Sequence, residues 1–221
     1  MAEELQALEH LHSLRELNVI LGSYGSPELQ LDFREGFSAI LIKHGPSLRH
    51  LTLGRIRNVD LEMIARYCRQ LSSLSLELNH SYHSEELMTN TIRSLAKFHL
   101  SIRDSDLEDE NDQNRDVPAF CLTALISSPS MRQIKITACQ TINDQVLFES
   151  VVSHHLESLE LESCSNISMP SIFYVINCSK HLTNLKIYRC ELVHDRDIAE
   201  LYSTIDEQHW DLDLDYYNDN S

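Results

Sequence analysis

Met131-x-x-Ile134-x-Ile136-x-x-Cys139-x-x-Ile142, Leu156-x-x-Leu159-x-Leu161-x-x-Cys164-x-x-Ile167 and Leu182-x-x-Leu185-x-Ile187-x-x-Cys190-x-x-Val193 are one phrase written three times, at intervals of 25 and 26 residues. Within each phrase the second and third apolar residues are two apart, the period of a strand with one buried face. The Cys then leaves the strand, and a helix-period segment carries the chain back. A unit this short cannot bury its own apolar face, so successive copies must stack.

A period of this length headed by L-x-x-L-x-L-x-x-[N/C] is the signature of a leucine-rich repeat. The fold class it predicts is α/β, a right-handed, horseshoe-like solenoid with parallel strands on the concave face and helices on the convex face. Working outward, the phrase recurs in weaker form. It reads Leu14-x-x-Leu17-x-Val19, Leu48-x-x-Leu51-x-Leu53 with Ile56 in the Cys slot, Leu71-x-x-Leu74-x-Leu76 with Asn79 in the slot, and Leu95-x-x-Phe98-x-Leu100 with Arg103 there. Trp210-x-Leu212-x-Leu214 reads as a closing strand whose Asp211, Asp213 and Asp215 face out. About seven or eight repeats therefore span residues 14–215, behind a helical lead-in over 1–13 and ahead of a disordered acidic tail over 216–221.

Returns between strands carry helix punctuation. Asp60 is placed to cap a helix with Leu61, Ile64, Ala65 and Cys68 on one face, and His44-Gly45-Pro46 ends a helix bearing Phe37, Ile40 and Leu41. Asp144, Ser168 and Asp195 sit where caps are wanted, and Pro170 falls in a first turn.

The formal net charge of −16 is unevenly placed. Residues 104–116 hold seven acids and one Arg, and the tail from Asp206 holds six acids without a Lys or Arg, so the body is nearly balanced. With no basic stripe to track a phosphate backbone, nucleic-acid binding is disfavoured. The insert 104–116 resembles a calcium loop only in acidity. Asp109 stands where such a loop needs Gly, and Arg115 where it needs Glu. Neither a signal-peptide stretch nor an apolar run of membrane length is present, and the repeating cysteines have a packing role. A cytoplasmic or nuclear location, with reduced thiols, is the expectation.

The phrase resembles the cysteine-containing repeats of the F-box/leucine-rich-repeat family, most closely in Cys139-Gln-Thr-Ile142-Asn-Asp144-Gln-Val-Leu147 and Cys190-Glu-Leu-Val193-His-Asp195. The resemblance implies the substrate-recognition part of a cullin-RING (SCF) ubiquitin ligase. It covers the repeats alone, because no Leu-Pro-x-Glu start and no room for an F-box stand ahead of Leu14; a ligase adaptor would be a partner only if an F-box lies outside this chain. A stand-alone binding scaffold or inhibitor unconnected to ubiquitin is the alternative, and an enzyme lacking any recognisable motif is the second.

No phosphate loop, nucleophile elbow or His-Glu-x-x-His motif occurs, so neither catalysis, a cofactor nor a metal is expected. A Cys/Asn ladder of Asn79, Cys139, Cys164 and Cys190 reads as structural. Between the second and third apolar positions lie Asn18, Thr52, Ser75, His99, Lys135, Glu160, Lys186 and Asp213, a row whose last four alternate in sign. The next row holds Ile20, Glu77, Thr137, Glu162 and Tyr188, with Tyr188 as its exposed aromatic. Tyr188, Lys186, Lys135, His99 and Glu162 are the candidate contacts for a protein partner.

Overall fold

Each apolar phrase forms a strand, and each strand pairs with the next one in the chain. In a computed structural model describing residues 11, 13–22, 31–78, 92–102, 117–151 and 155–218, the strands are β1 (Glu16–Ile20), β2 (His50–Gly54), β3 (Ser73–Leu78), β4 (Lys97–Ile102), β5 (Gln133–Thr137), β6 (Ser158–Glu162), β7 (Asn184–Tyr188) and β8 (Asp213–Tyr217). They build one open, eight-stranded sheet in chain order, parallel throughout. Six helices among the described residues carry the returns: α1 (Phe33–His44), α2 (Leu61–Tyr67), α3 (Ala119–Ile126), α4 (Asp144–Ser150), α5 (Met169–Cys178) and α6 (Asp195–Gln208). The expected lead-in over 1–10, the Asn79 and Arg103 slots, the acidic insert and residues 219–221 lie outside the described residues.

Parallel strands in register put like positions in columns. Leu17, Leu51, Leu74, Phe98, Ile134, Leu159, Leu185 and Leu214 form one column on the covered face. Val19, Leu53, Leu76, Leu100, Ile136, Leu161, Ile187 and Tyr216 form the next. Most of these side chains are fully buried, and helix residues such as Phe37, Ile64, Leu122, Leu147, Ile172 and Leu201 join the same core. Each such burial contributes roughly 1.5–3 kcal/mol, and every coil draws it from its neighbours.

At the start of every strand a backbone ladder ties coil to coil: the amides of Arg49, Ser72, Ala96, Arg132, Glu157, Thr183 and Asp213 donate to the carbonyls of Arg15, Arg49, Ser72, Ala96, Arg132, Glu157 and Thr183. Hydroxyls reinforce it, with Ser47 donating to Leu14 O at 2.8 Å, Ser72 to Arg49 O at 2.9 Å and Ser94 to Leu71 O at 2.8 Å. The far end of the strand is turned by a left-handed residue just before the Cys slot. Arg55, Ala138, Ser163 and Arg189 have φ of 60°, 55°, 54° and 50°. Their amides reach forward to Glu77, Glu162, Tyr188 and Tyr217 carbonyls, each at 2.8 Å. A hydrogen bond to the next coil thus holds a backbone conformation that non-glycine residues disfavour.

Beyond that turn sit the slot residues. Ile56, Cys139, Cys164 and Cys190 are all buried. The Cys164 thiol donates to Ile136 O of the preceding coil at 3.6 Å and to Glu162 O of its own at 3.4 Å. Cys190 repeats the pattern, to Leu161 O at 3.8 Å and Tyr188 O at 3.5 Å. The thiol is a small apolar plug that also satisfies turn carbonyls.

Two sequence expectations are corrected at this level. The last strand is shifted: Leu214 aligns with Leu185 and Tyr216 with Ile187, so the chain is still paired at Tyr217, past the boundary expected at 215. Tyr216 fills the third apolar slot because its ring is half-buried while its hydroxyl reaches Asp195 Oδ1 at 2.8 Å. The caps also move by one residue. Asn143, not Asp144, caps α4, accepting from Val146 N at 3.0 Å. His194, not Asp195, precedes α6. The Asp144 carboxylate instead spans two coils, accepting from Ser168 N at 2.8 Å and Ser168 Oγ at 2.5 Å. Ser168 does take the cap position of α5, but its hydroxyl is committed to Asp144. Asp60 caps α2 as expected, at 2.8 Å from Met63 N.

The left-handed turn is open to test at Ala138. Val in its place adds β-branching at positive φ and is expected to cost about 1–2 kcal/mol in urea unfolding, whereas Gly stays within several tenths of wild type.

Candidate functional site

Alternation along a strand sends every second side chain to the face opposite the helices. Eight strands in register therefore display three rows there. The first runs Glu16, His50, Ser73, Lys97, Gln133, Ser158, Asn184, Asp213. The second runs Asn18, Thr52, Ser75, His99, Lys135, Glu160, Lys186, Asp215, and the third Ile20, Gly54, Glu77, Ser101, Thr137, Glu162, Tyr188, Tyr217. Gly54 makes room for its neighbour, because a Cβ there would fall 2.9 Å from Ile20 Cγ2.

All five candidate contacts lie on this face, His99, Lys135 and Lys186 in the second row and Glu162 and Tyr188 in the third. One neighbour was misassigned. Asp215 stands beside Lys186, and Asp213 beside Asn184, because β8 is displaced by two residues from the expected register. The same shift brings Tyr217 alongside Tyr188, so the third row ends in two aromatics rather than one. The signal for it was Tyr216: a Tyr in the third apolar slot leaves the following Tyr on the open face.

Much of the charge on this face is already engaged. Lys135 Nζ meets Glu160 Oε1 at 2.5 Å, across β5 and β6. Arg55 Nε pairs with Glu77 at 3.1 Å and Arg189 Nη1 with Glu162 at 3.9 Å. Arg132 and Glu157 pair just ahead of β5 and β6. Such part-exposed pairs contribute about 0.2–1 kcal/mol each and chiefly fix register. Lys186 makes no ion pair among the described residues, although it lies in register between Glu160 and Asp215.

The titratable groups are tuned accordingly. His99, whose Nδ1 lies 3.2 Å from Ser75 Oγ, is pushed below its ordinary value by burial and then by the Lys135 charge. The Tyr188 hydroxyl donates to Asp215 Oδ2 at 2.5 Å, and that bond, ahead of burial, pushes its pKa up to about 12. Inside the coil, the hydrogen bond with Cys190 and then burial raise Cys164 well above the ordinary thiol range, and burial lifts Cys68 to about 12. Thiols held this way are poor nucleophiles.

Elsewhere, a cleft of about 280 Å³ between α1 and α2 is lined by Arg34, Asp60, Glu62, Met63, Arg66 and Tyr67. Its charges are matched in place, Arg34 with Asp60 at 3.2 Å and Arg66 with Glu62 at 3.6 Å. Among the described residues, no group of three or more His, Cys, Asp or Glu side chains is placed to hold a metal ion, and no helix is long and apolar enough to cross a membrane.

No protein-family model matches the chain, and no curated protein matches it. Among solved structures, it is similar to the crystal structure of a protein from Bacteroides fragilis, with a TM-score of 0.55 and 16% identity. That match covers 100% of this chain and 60% of the other, so the chain spans about three fifths of its neighbour's length. At this identity the likeness concerns the fold alone.

The Tyr188–Asp215 bond has a checkable signature. A tyrosine with a folded-state pKa above its unfolded value near 10 holds its proton more tightly when folded. Its stabilising contribution is complete below about pH 10 and is lost as the pH rises through about 12. Asp215→Asn is expected to bring the Tyr188 midpoint down toward 10, read from the ring-carbon NMR titration of that residue.

Proposed function

We propose that the chain is a leucine-rich-repeat domain that recognises another protein across the open face of its sheet. The observation that carries this reading is the face itself. Eight parallel strands in unbroken register present three rows of side chains, while the opposite face is filled by the core. A rigid sheet of this kind is a platform for a macromolecular surface rather than an enclosure for a small molecule.

Within that role, the resemblance of the Cys139, Cys164 and Cys190 repeats to F-box/leucine-rich-repeat proteins supports substrate recognition in a ubiquitin-ligase pathway, leading to ubiquitin-dependent protein catabolism. The partner contacts on this reading are Tyr188, Lys186, Lys135, His99 and Glu162. Tyr188 is the aromatic anchor, and Lys186 supplies a charge that the sheet leaves unpaired.

The test is affinity purification of the intact gene product from its own cells, with crosslinks mapped by mass spectrometry. Crosslinks to a partner are expected on β5 to β8, with the ligase adaptor co-purifying. Tyr188→Ala is expected to weaken the captured partner tenfold or more, about 1.4 kcal/mol. A partner captured without the adaptor leaves recognition standing and makes the chain a scaffold outside the ubiquitin system. Crosslinks confined to the helices would overturn the assignment of the face.

A further inference from the structure

The open face is electrically divided along its length. On β1 to β5 the charges of Glu16 and Glu77 are balanced by Lys97 and Lys135. On β6 to β8 the rows hold Glu160, Glu162, Asp213 and Asp215 with Lys186 as their one cation, a formal net of −3 over nine positions. Glu160 is engaged by Lys135 of β5 and Glu162 by Arg189, which leaves Asp213 and Asp215 as the acids without an ion pair among the described residues. The same end carries both aromatics of the three rows, Tyr188 and Tyr217, as neighbours on adjacent strands. Tyr217 is 53% exposed, although it lies in a paired strand.

We infer that the open face of β6 to β8 docks an extended, arginine-bearing segment of the partner protein, which rests on the recognition role proposed above. Adjacent strands are about 4.8 Å apart, and Tyr188 and Tyr217 are neighbours in register, with Glu162 on the other side of Tyr188 and Asp215 two residues before Tyr217, so a guanidinium set over either ring lies close to a carboxylate. A planar cation takes both kinds of contact at once, face-on to a phenol ring and edge-on to a carboxylate. Asp213, in the first row of the same strand, meets a second basic residue further along the segment. Lys186 between them disfavours a run of like charge directly over the second row and sets the spacing of the basic residues. Arginine fits better than lysine here, because the site pairs aromatic faces with carboxylates rather than with carboxylates alone.

The probe is a fluorescein-labelled, alternating Arg-Ser dodecapeptide titrated against the full chain, followed by anisotropy at about 0.15 M salt. The peptide is expected to bind, its citrulline counterpart to bind at least tenfold more weakly, and its Lys-Ser counterpart to fall between them. Asp213→Asn combined with Asp215→Asn, and separately Tyr217→Ala, are each expected to weaken the Arg peptide about fivefold or more, while Tyr217→Phe retains it. Two controls decide whether the attraction is local. Glu149→Gln on α4, and Asp109→Asn with Glu110→Gln in the acidic insert, are expected to leave binding unchanged. Equal losses in either control, or equal binding of the citrulline peptide, would overturn the inference. A natural partner released by Lys135→Glu on β5 yet indifferent to the Asp213/Asp215 double variant would also sink it, while leaving protein recognition by the face intact.

Discussion

A parallel strand satisfies none of its backbone hydrogen bonds alone, and a coil of about 25 residues encloses no core alone. Both deficits are met here by the same neighbour. The amides that start each strand donate to the coil before, from Arg49 to Arg15 through to Asp213 to Thr183. The amides of Arg55, Ala138, Ser163 and Arg189 donate to the coil after. The columns through Leu159 and Leu161 are filled in both directions. Stability of this kind is close to a sum of nearest-neighbour contacts, so loss of one column residue is felt most by the two coils that flank it.

The left-handed turn is where this dependence is sharpest. The chain must leave the strand at once if the slot residue is to point inward, and a positive φ does that in one step. Ala138 and Ser163 adopt it without glycine, held by 2.8 Å bonds to the next coil. After Ser163 and Arg189 the buried thiols of Cys164 and Cys190 follow, with their own bonds to turn carbonyls. A β-turn would need more residues to make the same reversal, and the helix would start out of phase with its neighbour.

Most of the coil was legible in the sequence, because burial of one strand face is written directly in the spacing of Leu and Ile. The strands, their order and the inward slot residues followed from that spacing, as did the second row from Asn18 to Lys186. What was not legible involves side chains that play two parts. Trp210, Leu212 and Leu214 alternate like a strand face and so suggested the wrong register, whereas the pairing is decided by Tyr216, whose ring fills an apolar slot and whose hydroxyl reaches Asp195. Asp144 and Asn143 are both good caps, and only the second-coil acceptor need of Ser168 separates them. The positive-φ residues that precede the slot, Arg55, Ala138, Ser163 and Arg189, carry no compositional mark, since Arg, Ala and Ser are not the types usually associated with that conformation.

The stacking of the coils depends on the slot thiols of successive coils being interior corners of one continuous ladder. Thiol reactivity in the folded protein reads this directly. Cys68, Cys121, Cys139, Cys164 and Cys190 are buried, and Cys178 is half-buried at the end of α5. With an aromatic disulfide reagent under native conditions, Cys178 is expected to react first and alone, the other five following only at the rate of unfolding. Labelling of Cys139, Cys164 or Cys190 as fast as Cys178, located by peptide mass spectrometry, would contradict the ladder and the fold built on it.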